Sequence, residues 1–475
     1  MSTAFESYDA TALAAAIRDG ELSAREATQA AIERIEKLNP TLNAVIGTRF
    51  EQALAEVDAG LPAGPLTGVP TLVKSLGADV AGLPTTRGSR LWADDLKTAD
   101  SEFVRRMKEA GMVVLGTTNT PELGKSASTE PILHGPTPNP RDLTRSAGGS
   151  SGGSAVSVAS GMVPVAHAND GGGSIRIPAA ANGLFGLKPS RGRVPNFPNP
   201  VAFSNLTSAQ LVVSRSVRDT AVMMDVGSGN LRGDVFGFGV REPGSTTFVD
   251  ALGREPGRLR FGMVTELVNG PDVDPEVAEN TRSAARVLEG LGHEVVEIEA
   301  PWDTTAAMAV SGQLMGLSLV NSVEARLAQL GRELREDDLE PFSKVMLEYY
   351  GTLTGSQVGE ALVGAEQLAW NVSEVYDQVD LLLTPTMCVK VPELGFLDMQ
   401  RPETLWERGT MLSGFTGVFN VTGAPAMSLP YGTDSNGMPI GVHVVGPLGS
   451  EAQLLSLAAQ FESAAPWELL APSIG

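Results

Sequence analysis

The stretch SAGGSSGGSAVSVASGMVPVAHANDGGGSIRIP, residues 146–178, sets two glycine-serine loops around a short apolar segment. Runs of small residues let backbone N–H groups come close to a substrate, and a serine held among them can serve as a nucleophile beside an oxyanion site. The second loop, Asn169-Asp170-Gly171-Gly172-Gly173-Ser174, follows residues 162–166, read as an apolar strand, and precedes the short IRIPAAA segment. A serine at a strand end therefore has structural context, and three successive glycines let amides turn toward one point. A plain glycine turn is the alternative for this loop.

The first loop, Gly148-Gly149-Ser150-Ser151-Gly152, matches G-x-S-x-G, the pattern of a nucleophile elbow. An elbow needs an apolar strand directly before it, whereas residues 139–146, NPRDLTRS, read as loop. It also needs a histidine base following an acid, with His293 or His443 in that order. Two other patterns fail: Gly124-Lys125-Ser126 resembles the end of a phosphate loop but Asn119 occupies the required earlier glycine position, and no G-x-G-x-x-G follows a strand. The four histidines, His134, His167, His293 and His443, lack metal-ligand spacing and read as core or surface residues.

Outward from these loops the chain alternates strand-like and helical segments. Two helices open it: residues 10–18 stopped by Gly20, then a capping box of Ser23 and Glu26 leading to Leu38 before Asn39-Pro40. GVPTLVK at residues 68–74 reads as a strand, followed by a charged helix at 100–110 and a strand at 112–115. The form repeats with a strand at 259–264, a helix at 275–291 and a strand at 294–298, and strands recur at 380–383 and 440–445. This alternation predicts an α/β fold with a large central mixed, mostly parallel sheet covered by helices on both faces. Residues 303–370 are rich in Leu, Met and Glu at helical spacing and form a predicted helical layer over the sheet and pocket. Met308, Met315, Leu319 and Met346 read first as core, with a pocket wall as the alternative. No linker divides the chain, so residues 1–475 read as one domain: an N-terminal helical region at 1–60, a core at 61–230 and the layer at 303–370.

A formal charge of −21 argues against nucleic acid as a partner, because neutralising phosphates needs a cationic surface. The single cysteine, Cys388, permits no internal disulfide and suits a reducing compartment. The N-terminus has no basic segment before an apolar core, and no apolar run approaches a membrane span, so a cytoplasmic protein without membrane partners is expected.

GGSSGGSA at 148–155 and DGGGSIRIPA at 170–179, preceded by GVPTLVK ending at Lys74, resemble the amidase signature family. Ser150 and Ser174 lie 24 positions apart, and Lys74 precedes Ser150 by 76; both spacings suit that family. The likeness continues through GTTNTPELG at 116–124, GLKPSRGRVP at 186–195, SRSVRD at 214–219 and FNVTGAPAMSLP at 419–430. It implies an amidase signature fold and an amidase that cleaves a carboxamide C–N bond through an acyl-enzyme. It further implies Ser174 as nucleophile, Ser150 as a bridging serine after a cis peptide bond, and Lys74 as base. The amides of Gly171, Gly172, Gly173 and Ser174 would form the oxyanion hole. Ser151, Asp170 and Arg176 would support the loops, the last two by an ion pair. No metal or organic cofactor is implied; the expected partner is a small-molecule amide, and a homodimer is possible.

The base must be a neutral lysine, yet an ordinary pKa of about 10.4 leaves almost all of it charged at pH 7, a gap worth roughly 4.6 kcal/mol. Desolvation at a strand end can supply that order, and Val69, Leu72 and Val73 make the strand apolar. Many family members carry aspartate after this lysine where this chain has Ser75, and one branch has asparagine where Lys125 stands. Lys125 accordingly reads first as a surface lysine, with a substrate-pocket residue as the alternative. Other functions compatible with the pattern are an esterase or carbamate hydrolase, an amidotransferase A-type subunit in an assembly, and a binding protein that has lost catalysis.

Overall fold

The computed structural model describes residues 8–196, 206–234, 236–238 and 246–471. The first seven residues of the N-terminal helical region thus lie outside the described residues. Eleven strands form one sheet: β1 (Val45–Thr48), β2 (Pro70–Lys74), β3 (Val113–Thr118), β6 (Val165–Asp170), β7 (Phe185–Lys188), β8 (Ala209–Ser214), β9 (Arg260–Met263), β10 (Glu294–Glu297), β11 (Leu381–Pro385), β12 (Ala426–Thr433) and β13 (Pro439–Val445). Their order across the sheet is β1-β3-β2-β6-β8-β7-β12-β13-β11-β9-β10, with helices on both faces. A separate two-stranded ribbon pairs β4 (Pro138–Asn139) with β5 (Asp142–Ser146). Residues expected as loop before Ser150 therefore form a ribbon, hidden from pattern reading because Leu143 and Thr144 are exposed rather than alternating.

Pairing direction follows connection length. Helix Glu102–Glu109 carries the chain from β2 back to β3, and helix Pro275–Gly290 does the same from β9 to β10, giving parallel pairs. β2 with β6 and β9 with β11 are also parallel. The remaining neighbours run antiparallel; β12 and β13 do so because a tight turn at Asn436-Gly437, with Gly437 at φ 76°, joins them directly. The parallel group β3-β2-β6 matters most here. Its carboxyl ends lie at one edge of the sheet, so Lys74 at the end of β2 and Asp170 at the end of β6 emerge together.

At the N-terminus, Ser23 and Glu26 form the capping box, but helix Ala24–Leu42 runs through Pro40 instead of stopping before it. Asn43, at φ 44°, ends it in the left-handed conformation. Three helices, Thr304–Leu330, Pro341–Tyr350 and Gly355–Ser373, make up most of the layer at 303–370. The first is 27 residues long with a mean hydropathy of 1.3 in its most apolar window, so by length and composition it does approach a membrane span. Half of that window is buried within the fold, and Arg326 on the same helix bonds Leu91 O, Asp94 and Asp95.

Candidate active site

All five residues of β2 are buried, and pairing places Lys74 opposite Thr118 of β3. The Lys74 side chain reaches past the strand end, where Nζ lies 2.7 Å from Ser150 Oγ and donates to Asn169 Oδ1 at 2.6 Å. Asn169 Nδ2 donates to Leu76 O, which sets the amide so that its oxygen faces the lysine. Burial pushes the Lys74 amine well below the ordinary lysine range, opposed only by the charge of Asp170. Ser75, next to the lysine, brings no charge: its hydroxyl accepts the Thr86 N–H at 3.0 Å.

The Gly149–Ser150 peptide bond is cis. A Cβ on Gly149 would meet Ala127 C and Ser128 N at 2.7 Å, so no side chain fits there. Thr129 clamps the loop from outside, its hydroxyl donating to Gly148 O and accepting from Gly152 N–H. Ser151 stands at the start of helix Gly152–Ala159 and donates to Asn169 O at 3.1 Å, tying the first loop to the end of β6.

The second loop is organised by Asp170. Its carboxylate accepts the N–H groups of Gly173 at 2.7 Å and Ile175 at 3.0 Å. It also pairs with Arg176 through two bonds of 2.9 and 3.0 Å, both side chains fully buried. Arg176 in turn bonds Thr416 O, Asn420 Oδ1 and His443, while Asn420 Nδ2 returns to Asp170. Arg176 and the bonds around it hold the Asp170 carboxyl well below the usual carboxylate range despite burial. The geometry revises the sequence reading of Gly173: its N–H points back to Asp170 Oδ1 and is not available to a substrate. The N–H groups of Gly171, Gly172 and Ser174 have no protein acceptor among the described residues.

Ser174 is half-buried and sits where two cavities meet. One, about 280 Å³, is polar and is lined also by Ser150, Asn169 and Gly171. The other, about 230 Å³, is mostly apolar and is walled by Met308, Phe342, Met346, Tyr350 and Trp406. Lys125 and Met315 border both, and Leu319 lines the first. All four residues read first as core, Met308, Met315, Leu319 and Met346, thus face a cavity, because the helical layer closes over the carboxyl edge of the sheet. Lys125 Nζ donates to Met315 O at 2.9 Å, and burial lowers its pKa to about 8.

No histidine meets either serine in a hydrogen bond among the described residues. His167 accepts the Lys74 N–H and faces Gln210, with its pKa driven to about 3 by burial. His443 is locked between Arg176 and Thr384, and His293 between Leu259 N–H and Gln460, which removes the elbow reading's base. Asn169 is the site residue that sequence reasoning missed. Its signal was position, two residues after His167 on the same face of a strand neighbouring β2.

A large mixed sheet carrying a buried lysine, two loop serines and free amides at one edge defines a hydrolase. The chain belongs to the amidase signature family: the family model described as Amidase matches residues 26–455. It is 39% identical over 481 residues to 6-aminohexanoate-cyclic-dimer hydrolase of Paenarthrobacter ureafaciens, covering 98% of this chain and 96% of that one. The solved structure of 6-aminohexanoate cyclic dimer hydrolase complexed with substrate superposes with a TM-score of 0.91 at 38% identity, covering 97% of each chain. A bacterial aryl acylamidase of the family superposes with a TM-score of 0.87 at 29% identity, covering 97% of this chain and 96% of that one. The protein is an amidase, a hydrolase of carbon-nitrogen bonds other than peptide bonds.

Proposed function

We propose that this amidase works through Ser174 as nucleophile, Ser150 as proton relay and Lys74 as base. The observation that carries the reading is the 2.7 Å contact between Lys74 Nζ and Ser150 Oγ, with Ser150 and Ser174 on the wall of one cavity. Burial favours the neutral amine, so Lys74 takes the Ser150 proton as Ser150 takes that of Ser174. Ser174 Oγ attacks the amide carbon, and the developing oxyanion faces the amides of Gly171, Gly172 and Ser174. Each such donor is worth about 2.7–4 kcal/mol of barrier. The proton returns through Ser150 to the leaving nitrogen, the C–N bond breaks, and an acyl-Ser174 ester remains. Water then repeats the sequence in the opposite sense, releasing the acid.

The apolar cavity suits a methylene chain or an aromatic ring, and cyclic or linear amides with such a portion are the substrates we propose. The test is labelling with a serine-directed fluorophosphonate followed by peptide mapping, alongside turnover of an amide, ester and carbamate panel. Modification of Ser174 with amide turnover is the expected result. A label on Ser150 or Ser151 would overturn the assignment.

A further inference from the structure

The polar cavity is charged in the sense opposite to the whole chain. The chain carries a formal −21, yet the ionisable side chains lining this cavity are Arg87, Lys97, Lys125 and Asp79. Two of the three cations have evident partners: Lys97 pairs with Asp95 at 2.7 Å and Asp79 at 3.7 Å, and Lys125 donates to Met315 O. Arg87 differs. Its Nε is buried without a hydrogen-bond acceptor, and no carboxylate lies within ion-pair distance of its guanidinium among the described residues. Leaving a buried charged donor unpaired is costly, and a bound anion relieves it.

The surroundings hold Arg87 for that task. Its backbone sits at φ 53°, in the left-handed region where a non-glycine residue is uncommon. Its N–H donates to Ser75 O, immediately after Lys74, and its carbonyl accepts from Leu123 N–H, two residues before Lys125. The guanidinium carbon stands 5.1 Å from the centre of the Trp92 ring. A guanidinium so placed retains the fork of donors that matches a planar carboxylate.

We propose that Arg87 is a specificity-determining residue that receives a carboxylate of the substrate, so that the preferred substrates are amides bearing an anionic carboxylate on the portion occupying the polar cavity. The uncharged portion then lies in the apolar cavity, and the scissile carbonyl meets Ser174 where the two join. This rests on Ser174 being the nucleophile.

The test uses ω-carboxyalkanoyl 4-nitroanilides of three to six acyl carbons, each beside its uncharged ω-carboxamide twin. The carboxylate member is expected to be favoured at least 10-fold in kcat/KM at one or more chain lengths. In Arg87→Gln that preference ratio is expected to fall about 10- to 100-fold, and in Arg87→Lys to be partly retained. Binding is read separately, by calorimetry of adipate and glutarate on Ser174→Ala protein with and without Arg87→Gln. Adipate or glutarate binding that weakens at least 10-fold with Arg87→Gln supports the proposal. Equal use of the twins at every length, an unchanged preference ratio, or diacid binding that is absent or indifferent to Arg87 overturns it. Turnover surviving in Ser174→Ala would instead overturn the nucleophile, leaving the calorimetric result to decide Arg87 independently.

Discussion

Asn169 Oδ1 accepts from Lys74 Nζ at 2.6 Å while Asn169 Nδ2 is anchored on Leu76 O, so a neutral amide fixes the direction of the buried amine without charging it. A carboxylate in the same place would favour the protonated lysine. Asn169→Asp is therefore expected to raise the Lys74 pKa by about 1–3 units, the usual range for an opposite charge at this separation. Since only the neutral amine accepts a proton, the acid limb of kcat/KM against pH moves upward, and activity at neutral pH falls. An acid limb that stays in place would remove Lys74 from the role of base.

Ser174→Ala is expected to abolish turnover. Ser150→Ala leaves the proposed nucleophile but removes the proposed relay, and a loss of about 10²–10⁴-fold in kcat is expected, the range of general acid-base assistance. Rapid quench of an acylating ester separates the two: Ser150→Ala still accumulates acyl-enzyme slowly, and Ser174→Ala none.

Lys74→Met is expected to lose at least about 10³-fold in kcat and yet gain stability. A lysine whose folded pKa lies below its unfolded value binds more protons when unfolded between the two. Its burial thus costs stability in full below the folded pKa, and the penalty fades as pH rises to the unfolded value near 10.4. Methionine carries no such penalty, so the midpoint of urea unfolding at pH 7 is expected to rise by the equivalent of about 1–2 kcal/mol, with the difference vanishing at high pH.

Asp170→Asn leaves Arg176 buried and unpaired, and a loss of about 3–5 kcal/mol in denaturant unfolding is expected, together with activity. Unchanged stability in this variant would contradict the role of the buried pair in shaping the second loop.

Gly149→Ala forces a methyl group against backbone atoms at 2.7 Å and is expected to cost more than about 2 kcal/mol, measured by thermal unfolding. Gly171→Ala is the contrasting case: its Cβ would meet only Ser208 Oγ at 3.4 Å, so folding should survive.

Local patterns made much of the sheet legible. Helix-strand alternation marked β2, β3, β9, β10, β11 and β13 within a few residues, and the Ser23 and Glu26 capping box stands where the pattern placed it. Pro40 misled, because a proline near a helix end signals a stop, yet the helix runs two residues further and ends at Asn43, whose N–H bonds Asn39 O. Met308, Met315, Leu319 and Met346 all line a cavity, the alternative reading, while Leu319 and Met346 are also buried in a hydrophobic cluster as first read; an apolar side chain facing a cavity and one facing core have the same helical spacing. Asn169 offered only its position on the face of β6 that carries His167, and that was too weak a signal to single it out, since what makes it matter is the contact with Lys74, 95 positions away.

The sequence alone determined the family and the α/β alternation and, through the family resemblance, pointed to the three residues of the proposed machinery, because glycine-serine loops and a lysine ending an apolar strand are motifs written in consecutive positions. Only the tertiary structure decided how the second loop is held, since Asn420, 250 positions away, fixes with Arg176 the Asp170 carboxylate that takes the Gly173 N–H. It also decided what keeps Lys74 out of water and where the charged and apolar cavities meet. Burial and hydrogen-bond partnership depend on residues far apart in the chain, and they come into being only when β2, β6 and the helix Thr304–Leu330 are packed against one edge of the sheet.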